Sequence, residues 1–217
     1  MAGFNISDYS AERARLTQRV QAMDLADLIS DAQIDQLVHY LSLLVKWNKA
    51  YNLTAIRDPL EMVDRHLVDS LSVLKHVHGP RLIDVGSGPG LPGVVIAICR
   101  PDLSVTTLDS NGKKTRFQNQ VKLELGLANL TIINGRAEEC DAPPFDEVIS
   151  RAFASLSDMI TWTRQLCASE GVFLAMKGLY PSEELDQLPK DIVCKTHHKL
   201  QVPGTDGERH LMVLTAQ

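Results

Sequence analysis

Apolar residues at Ile34, Leu37, Val38, Leu41, Leu44 and Val45 recur at i, i+3, i+4 and i+7. That is the period of one helical face, and it predicts an amphipathic helix over 31–48. Leu16, Val20, Leu25, Leu28 and Ile29 predict one or two further helices before it. Asp58-Pro59-Leu60-Glu61 reads as a helix start, with Asp58 as cap, Pro59 in the first turn and Glu61 answering the cap. That helix is expected to run to about Val77, where Gly79-Pro80 stops it. From Arg81 the pattern changes to short apolar runs alternating with helical segments. Strands are expected at 81–85, 104–108, 130–133, 147–150 and 171–176. Helices are expected at 113–125, closed by Gly126, and at 155–167, capped by Ser155. Two late segments, 199–202 and 210–215, flank Gly204-Thr205-Asp206-Gly207 and predict a hairpin. Strand–helix alternation ending in a hairpin implies a mostly parallel α/β sheet with one antiparallel edge. The expected division is a helical cap over 1–78 and an α/β domain over 79–217.

The first strand runs into Asp84-Val85-Gly86-Ser87-Gly88-Pro89-Gly90-Leu91-Pro92-Gly93, with a helix expected from about Leu91. Glycine is required where the backbone takes positive φ or approaches a ligand without a Cβ in the way. In an open parallel sheet that place is the crevice at the carboxyl ends of the strands. A dinucleotide fingerprint would put its third glycine at 91, where this chain has Leu. The observed Gly-x-Gly-x-Gly after an acidic residue is instead the form of S-adenosylmethionine (SAM) sites. Pro89 and Pro92 remove amide donors, which suits a cofactor without phosphates. Asp109 ends the second strand and is placed to accept both ribose hydroxyls of an adenosyl group. Its alternative role is to cap the next helix, which Ser110 or Asn111 would serve as well. Glu138, after the third strand, falls where an adenine-facing residue would; a solvated loop glutamate is the alternative.

Composition narrows the class without naming the chemistry. The chain has 217 residues, 44% hydrophobic and 23% charged, which is ordinary for a globular protein that folds without metal or disulfide. Cys99, Cys140, Cys167 and Cys194 share no Cys-x-x-Cys spacing, so they read as reduced thiols of a cytoplasmic protein and no metal is expected. The first residues show no signal-peptide pattern, and the longest apolar run, Val94 to Cys99, is far too short to cross a membrane. The net charge of −5 speaks against bulk nucleic-acid binding but leaves room for a local basic face.

Several segments occur together in a telling order. They are Trp47-Asn48-Lys49-Ala50-Tyr51-Asn52-Leu53-Thr54, His66-Leu67-Val68-Asp69-Ser70, the glycine loop, Ser150-Arg151-Ala152-Phe153-Ala154 and Met176-Lys177-Gly178. From about Ile34 onward the chain resembles the bacterial RsmG (GidB) family of small-subunit ribosomal RNA methyltransferases. The resemblance implies a class I SAM-dependent methyltransferase fold, Rossmann-like and seven-stranded, under the helical cap. It implies methylation of N7 of one guanine in the 530 loop of 16S rRNA. It implies that Gly86, Ser87, Gly88, Leu91, Ala137, Glu138 and Arg151 bind SAM, and Asp109 joins them by its position. The expected partner is 16S rRNA within the small subunit or an assembly intermediate, with no membrane and a monomer as the working state.

Guanine N7 carries a lone pair and no proton. Its methylation needs no general base or covalent intermediate, so no catalytic side chain is expected and orientation carries the reaction. No cysteine sits where a pyrimidine-C5 nucleophile would. Ala142-Pro143-Pro144-Phe145 imitates an amine-methylation motif, but precedes its strand and reads as a turn. Lys113, Lys114, Arg116, Arg151 and Lys177, with Arg136 beside them, form the expected basic rim for RNA phosphates; the alternative for the first three is solvated surface charge. His66 and Asp69 share a helical face, and bracing the cap against the sheet is their default reading. Trp47 and Tyr51 read as core, and Phe153 as a stacking surface for a base. A small-molecule or protein methyltransferase, a nicotinamide-dependent reductase and a non-catalytic RNA chaperone are the rival readings.

Overall fold

The structure is a computed structural model and describes residues 4–151, 153 and 155–217. Ala152 and Ala154 of the Ser-Arg-Ala-Phe-Ala segment lie outside the described residues.

The cap begins with α1 (Ser10–Ala22) and α2 (Asp31–Tyr51). Residues 25–29 form turns rather than a second early helix, and Leu28 is exposed. Helix α2 starts with a full capping box: Gln33 N–H donates to Ser30 Oγ, and Ser30 N–H donates to the Gln33 side chain at 2.9 Å. Gln33 also donates through Nε2 to Ile98 O and Cys99 O, at 3.1 and 3.0 Å. One side chain therefore opens one helix and satisfies carbonyls at the end of another. The helix expected over 59–77 is broken into parts: α3 (Pro59–Met62), a π-helical stretch Val63–Val68, α4 (Asp69–Leu71) and a 3-10 turn Leu74–His76. Asp58 caps it as expected, accepting Glu61 N–H at 2.8 Å.

The α/β part runs β1 (Arg81–Val85), α5 (Gly93–Cys99), β2 (Ser104–Asp109), α6 (Gly112–Leu125), β3 (Leu130–Asn134) and β4 (Phe145–Ser150). It continues through α7 (Leu156–Thr163), β5 (Cys167–Lys177), α8 (Ser182–Leu185), β6 (Ile192–Lys199) and β7 (His210–Ala216). The seven-stranded sheet has order β3-β2-β1-β4-β5-β7-β6, parallel except for β7, which runs against β5 and β6 near one edge. The hairpin is real, but its first strand lies at 192–199, earlier than expected. Half-exposed residues such as Val193 and Cys194 hide its alternation. The helix expected over 155–167 ends at Thr163, and Cys167 already belongs to β5.

Successive strand residues point to opposite faces. Leu82, Val105, Ile149, Leu174 and Leu211 pack under α1, α2, α5 and α6, while Ile83, Val148, Phe173 and Met212 pack under α7. One apolar cluster runs from Leu16 to Leu211, so the cap and the sheet share a core. The order of strands reverses between β1 and β4, which places the crevice at their carboxyl ends.

The double duty of Gln33 sets an expectation for stability. Ser30→Ala should cost about 1 kcal/mol, the usual worth of a cap. Gln33→Ala should cost more, about 2 kcal/mol, because it also leaves two carbonyls of α5 without their donor. Urea unfolding of both variants checks the ranking, and equal costs would contradict it.

Candidate active site

The loop between β1 and α5 is held by carboxylates from two strands. Asp84, fully buried, accepts Gly93 N–H through Oδ2 at 2.7 Å. Asp109, 8% exposed, accepts Gly88 N–H at 2.7 Å through Oδ2 and Asn111 N–H at 2.8 Å through Oδ1. Asn111 caps α6, so Asp109 is free of that role. Gly86, Gly88 and Gly90 all take positive φ, at 71, 60 and 101°. At Gly90 a Cβ would fall 2.3 Å from a Val94 methyl, so the loop must pack bare backbone there. At Gly88 a Cβ would meet only Lys114 Nζ, at 3.9 Å, so that glycine faces open space.

Two side chains invisible as site residues in the sequence lock this loop from below. Gln118, wholly buried, donates through Nε2 to Ser87 Oγ at 2.9 Å and Gly88 O at 2.8 Å, and accepts from Thr107 Oγ1. Its signal was a glutamine on the apolar face of α6, between Phe117 and Val121. Tyr40, also wholly buried, donates from α2 to Pro89 O at 3.0 Å. Burial pushes the Asp84 carboxyl up to about 7, against the opposing pull of Gly93 N–H and Arg151.

Three adjoining cavities open along the carboxyl ends of the strands. The first, about 290 Å³, is lined by Gly86, Asp109, Ala137, Glu138, Phe153 and Trp162. The second, about 220 Å³, lies over the loop against Ser87, Gly88, Leu91, Leu53, Thr54 and Lys114. The third, about 370 Å³, is lined by Arg65, His66, Asp69, Arg151, Lys177 and Arg209. Gly86 belongs to the first two, and His66 and Arg151 to the last two. The structure thus brings together Gly86, Ser87, Gly88, Leu91, Asp109, Ala137, Glu138 and Arg151 along one crevice. Glu138 is exposed at its mouth, and Phe153 packs edge-on to Trp162 at 5.6 Å.

The basic residues divide. Lys114 reaches the second cavity, whereas Lys113 and Arg116 stand exposed on the outer side of α6 and line none of the three. Lys177 pairs with Glu184 at 2.8 Å. Arg209 joins them at the carboxyl ends: β7 runs backwards, so its start lies beside Lys177 at the end of β5.

The Trp-Asn…Asn-Leu-Thr segment now has a physical account. Trp47 packs on Phe117 of α6 at 5.6 Å, though Tyr51 is exposed rather than core. Asn52 ends α2 in the left-handed region, at φ 50°. Asn48, buried, donates to Ile56 O and accepts Thr54 N–H, at 3.1 and 2.9 Å. Thr54 in turn meets His66 Nε2 at 2.8 Å, and His66 Nδ1 donates to Arg65 O at 3.1 Å. Burial, reinforced by Arg151, lowers His66 to about 4. The imidazole is therefore neutral at neutral pH, with Nε2 accepting from Thr54. His66 lies in the π-helical stretch, a local geometry that recurs at functional sites.

Among the described residues no cysteine lines these cavities, and burial raises the Cys99 and Cys167 thiols to about 12 and 11. Ala142, Pro143 and Pro144 precede β4 and Phe145 opens it, with Pro143 O accepting from Arg81 Nη2 at 3.1 Å.

The state of Asp84 sets a pH dependence. Its folded pKa of about 7 lies above the ordinary 3.8. Between these values the unfolded chain has released the proton that the folded chain keeps, so wild-type stability falls as pH rises. Asp84→Asn has no such proton. Its stability relative to wild type should therefore rise between about pH 4 and pH 7 and level off above. Urea unfolding across that range tests it, and parallel curves would contradict it.

Comparison with known proteins identifies the family and the fold. Residues 33–212 match the family model GidB, rRNA small subunit methyltransferase G. The ribosomal RNA small subunit methyltransferase G of Marinomonas sp. (strain MWYL1) is 54% identical over 195 residues, covering 89% of this chain and 94% of that one. The protein of the same name from Pseudomonas syringae pv. syringae is 56% identical over 194 residues, covering 89% and 91%. The fold is shared with TrmN from Thermus thermophilus at 16% identity and TM-score 0.55, over 79% of this chain and 52% of that one. It is also shared with the O-methyltransferase TomG from Streptomyces achromogenes, solved with SAM, at 16% identity and TM-score 0.55, over 82% and 89%. With the family model matched across most of its length and relatives more than half identical, the chain belongs to the GidB family, the rRNA small subunit methyltransferases G.

Proposed function

We propose that the protein transfers the methyl group of SAM to N7 of one guanine in the 530 loop of 16S rRNA. One observation carries the reading. A loop of bare backbone, gripped by Asp84 and Asp109, lies between a cavity ending in a carboxylate and one ringed by arginines. The residues fit SAM. The open space over Gly88 is a cradle that any larger side chain would fill. Asp109 keeps lone pairs for ribose hydroxyls after its two amide bonds. Ala137, Glu138, Phe153 and Trp162 offer an apolar and edge-polar slot of the kind a purine needs.

In this reading residues 79–217 are the SAM-binding unit and 1–78 the cap packed against it. Gly86, Ser87, Gly88 and Leu91 hold the methionine end, Asp109 the ribose, and Ala137 and Glu138 the adenine. Arg151 stands between the cofactor and the RNA. When bound, SAM supplies an activated methyl: the N7 lone pair forms the new bond, the sulfonium takes the old bonding pair, and no proton moves. The protein's task is to align donor and acceptor, and alignment of this kind supplies about 7–11 kcal/mol of a barrier. It also receives a base already out of its stack, which costs a few kcal/mol in a duplex and less in an open loop. Lys114 and Lys177 meet phosphates at the crevice, and Lys113 and Arg116 meet them on the outer side of α6. The partner is the small subunit or its precursor in the cytoplasm, and a monomer suffices.

Labelled SAM offered with unmethylated 30S subunits, naked 16S rRNA and bulk protein tests the reading. Label on one guanine N7 of 16S rRNA is expected, and label on protein alone would refute it. In the same assay Gly88→Leu should lose SAM binding by calorimetry. The accompanying cost of a side chain at positive φ is about 1–2 kcal/mol, too small to unfold the protein. Unaltered SAM affinity would mean that the loop is not the cradle. Exchanging Lys113 and Arg116, which line none of the three cavities, for Glu should weaken rRNA binding at least tenfold while SAM affinity holds within about twofold. Unchanged rRNA affinity would move the phosphate contacts elsewhere.

A further inference from the structure

The third cavity has an uneven charge. Among the described residues that line it, Arg65, Arg151, Lys177 and Arg209 are cations and Asp69 is the carboxylate. Arg65 and Lys177 carry partners of their own, Glu61 and Glu184, each at 2.8 Å. Arg151 and Arg209 share Asp69. Arg151 Nη1 donates to Oδ2 at 2.9 Å and Arg209 Nε to Oδ1 at 2.8 Å. The carboxylate is 95% buried, while both arginines are about a quarter exposed toward the cavity. His66 beside them is neutral, so it neither adds to nor offsets the charge.

Bracing alone does not explain this arrangement. A brace needs one arginine, and here the carboxylate is divided between two, from the end of β4 and the start of β7. The chemistry gives the second reason. Methyl transfer to N7 moves a positive charge from sulfur onto the guanine ring, so the product base is a cation. Two unopposed guanidiniums at the wall of the cavity would repel that cation. They would equally drift toward the RNA phosphates and lose their position.

We propose that Asp69 is a positioning residue for methyl transfer: buried and ion-paired through separate oxygens to Arg151 and Arg209, it fixes both guanidiniums around the cavity beside the glycine loop and offsets one of their charges there. The proposal rests on the rRNA methyltransferase reading above. Arg151 and Arg209 present their remaining donors to the target nucleotide, and Asp69 sets where those donors point.

The test compares wild type and Asp69→Asn in three measurements. These are SAM affinity by calorimetry, 16S rRNA affinity across a salt series, and single-turnover methyl transfer to unmethylated 30S subunits with enzyme in excess. The variant should keep SAM affinity within about threefold. Its rRNA binding should become steeper in salt by about one phosphate contact, since a guanidinium has been released. Its single-turnover rate should fall at least tenfold. A wild-type rate per bound complex overturns the proposal, as does a parallel loss of SAM and rRNA affinity with no change in salt slope, which is what a plain brace predicts. If Asp69→Asn does not fold, Arg209→Gln removes the other end of the pair and leaves the buried carboxylate matched by Arg151. It should retain SAM affinity and lose rate at least threefold, and an unchanged rate overturns the proposal. Wild type inactive on 16S rRNA would instead refute the underlying reading.

Discussion

The two short bonds from strand carboxylates to loop amides, Asp84 to Gly93 and Asp109 to Gly88, are the constraint on which the site depends. Each of the three positive-φ glycines in the turn loses more conformational entropy on folding than another residue would. Anchored from two neighbouring strand ends, these bonds hold the turn against that cost. They also fix its direction: Gly90 and Gly93 face packed side chains, whereas Gly88 faces the cavity. Asp84 works at a disadvantage, since burial opposes its charge, and its second oxygen has no partner among the described residues.

The cap is part of the same device. Tyr40 reaches Pro89, Gln33 reaches the end of α5, and the chain Asn48–Thr54–His66 carries the fold of the 52–58 loop to the wall of two cavities. The bonds of Tyr40 and Gln33 cross from the cap to the α/β part, while the Asn48–Thr54–His66 chain stays within the cap and ends at the cavity wall. A change in cap packing is therefore felt at the loop as a shift of its backbone, with no residue of the crevice itself altered.

Much of this was legible in the sequence, for reasons that differ by element. The period of Ile34 to Val45 and the short apolar runs of β1 to β3 are burial signals, and burial is what they report. The glycine loop was legible because its φ values exclude other residues, and Asp109 because a strand end fixes its distance from that loop. The π-helical stretch was not, since Val63 to Val68 has the composition of an ordinary helix and its widened turn comes from tertiary packing. The first strand of the hairpin was missed because an edge strand is only half covered and keeps no clean alternation. Asp69 was read as a brace because spacing gives a shared face but not a partner: Arg151 and Arg209 lie 82 and 140 residues away.

That last separation has a consequence for how the molecule comes to be. Contacts so distant along the chain close late and slowly. Arg209 reaches its place only when β7 slides in between β5 and β6, because the strand's reversed direction is what returns its first residue to the carboxyl edge. The bonds that hold the glycine turn use no residue beyond Gln118, whereas the third cavity is complete only once Arg209 has docked. The two halves of the crevice are therefore completed by very different lengths of chain.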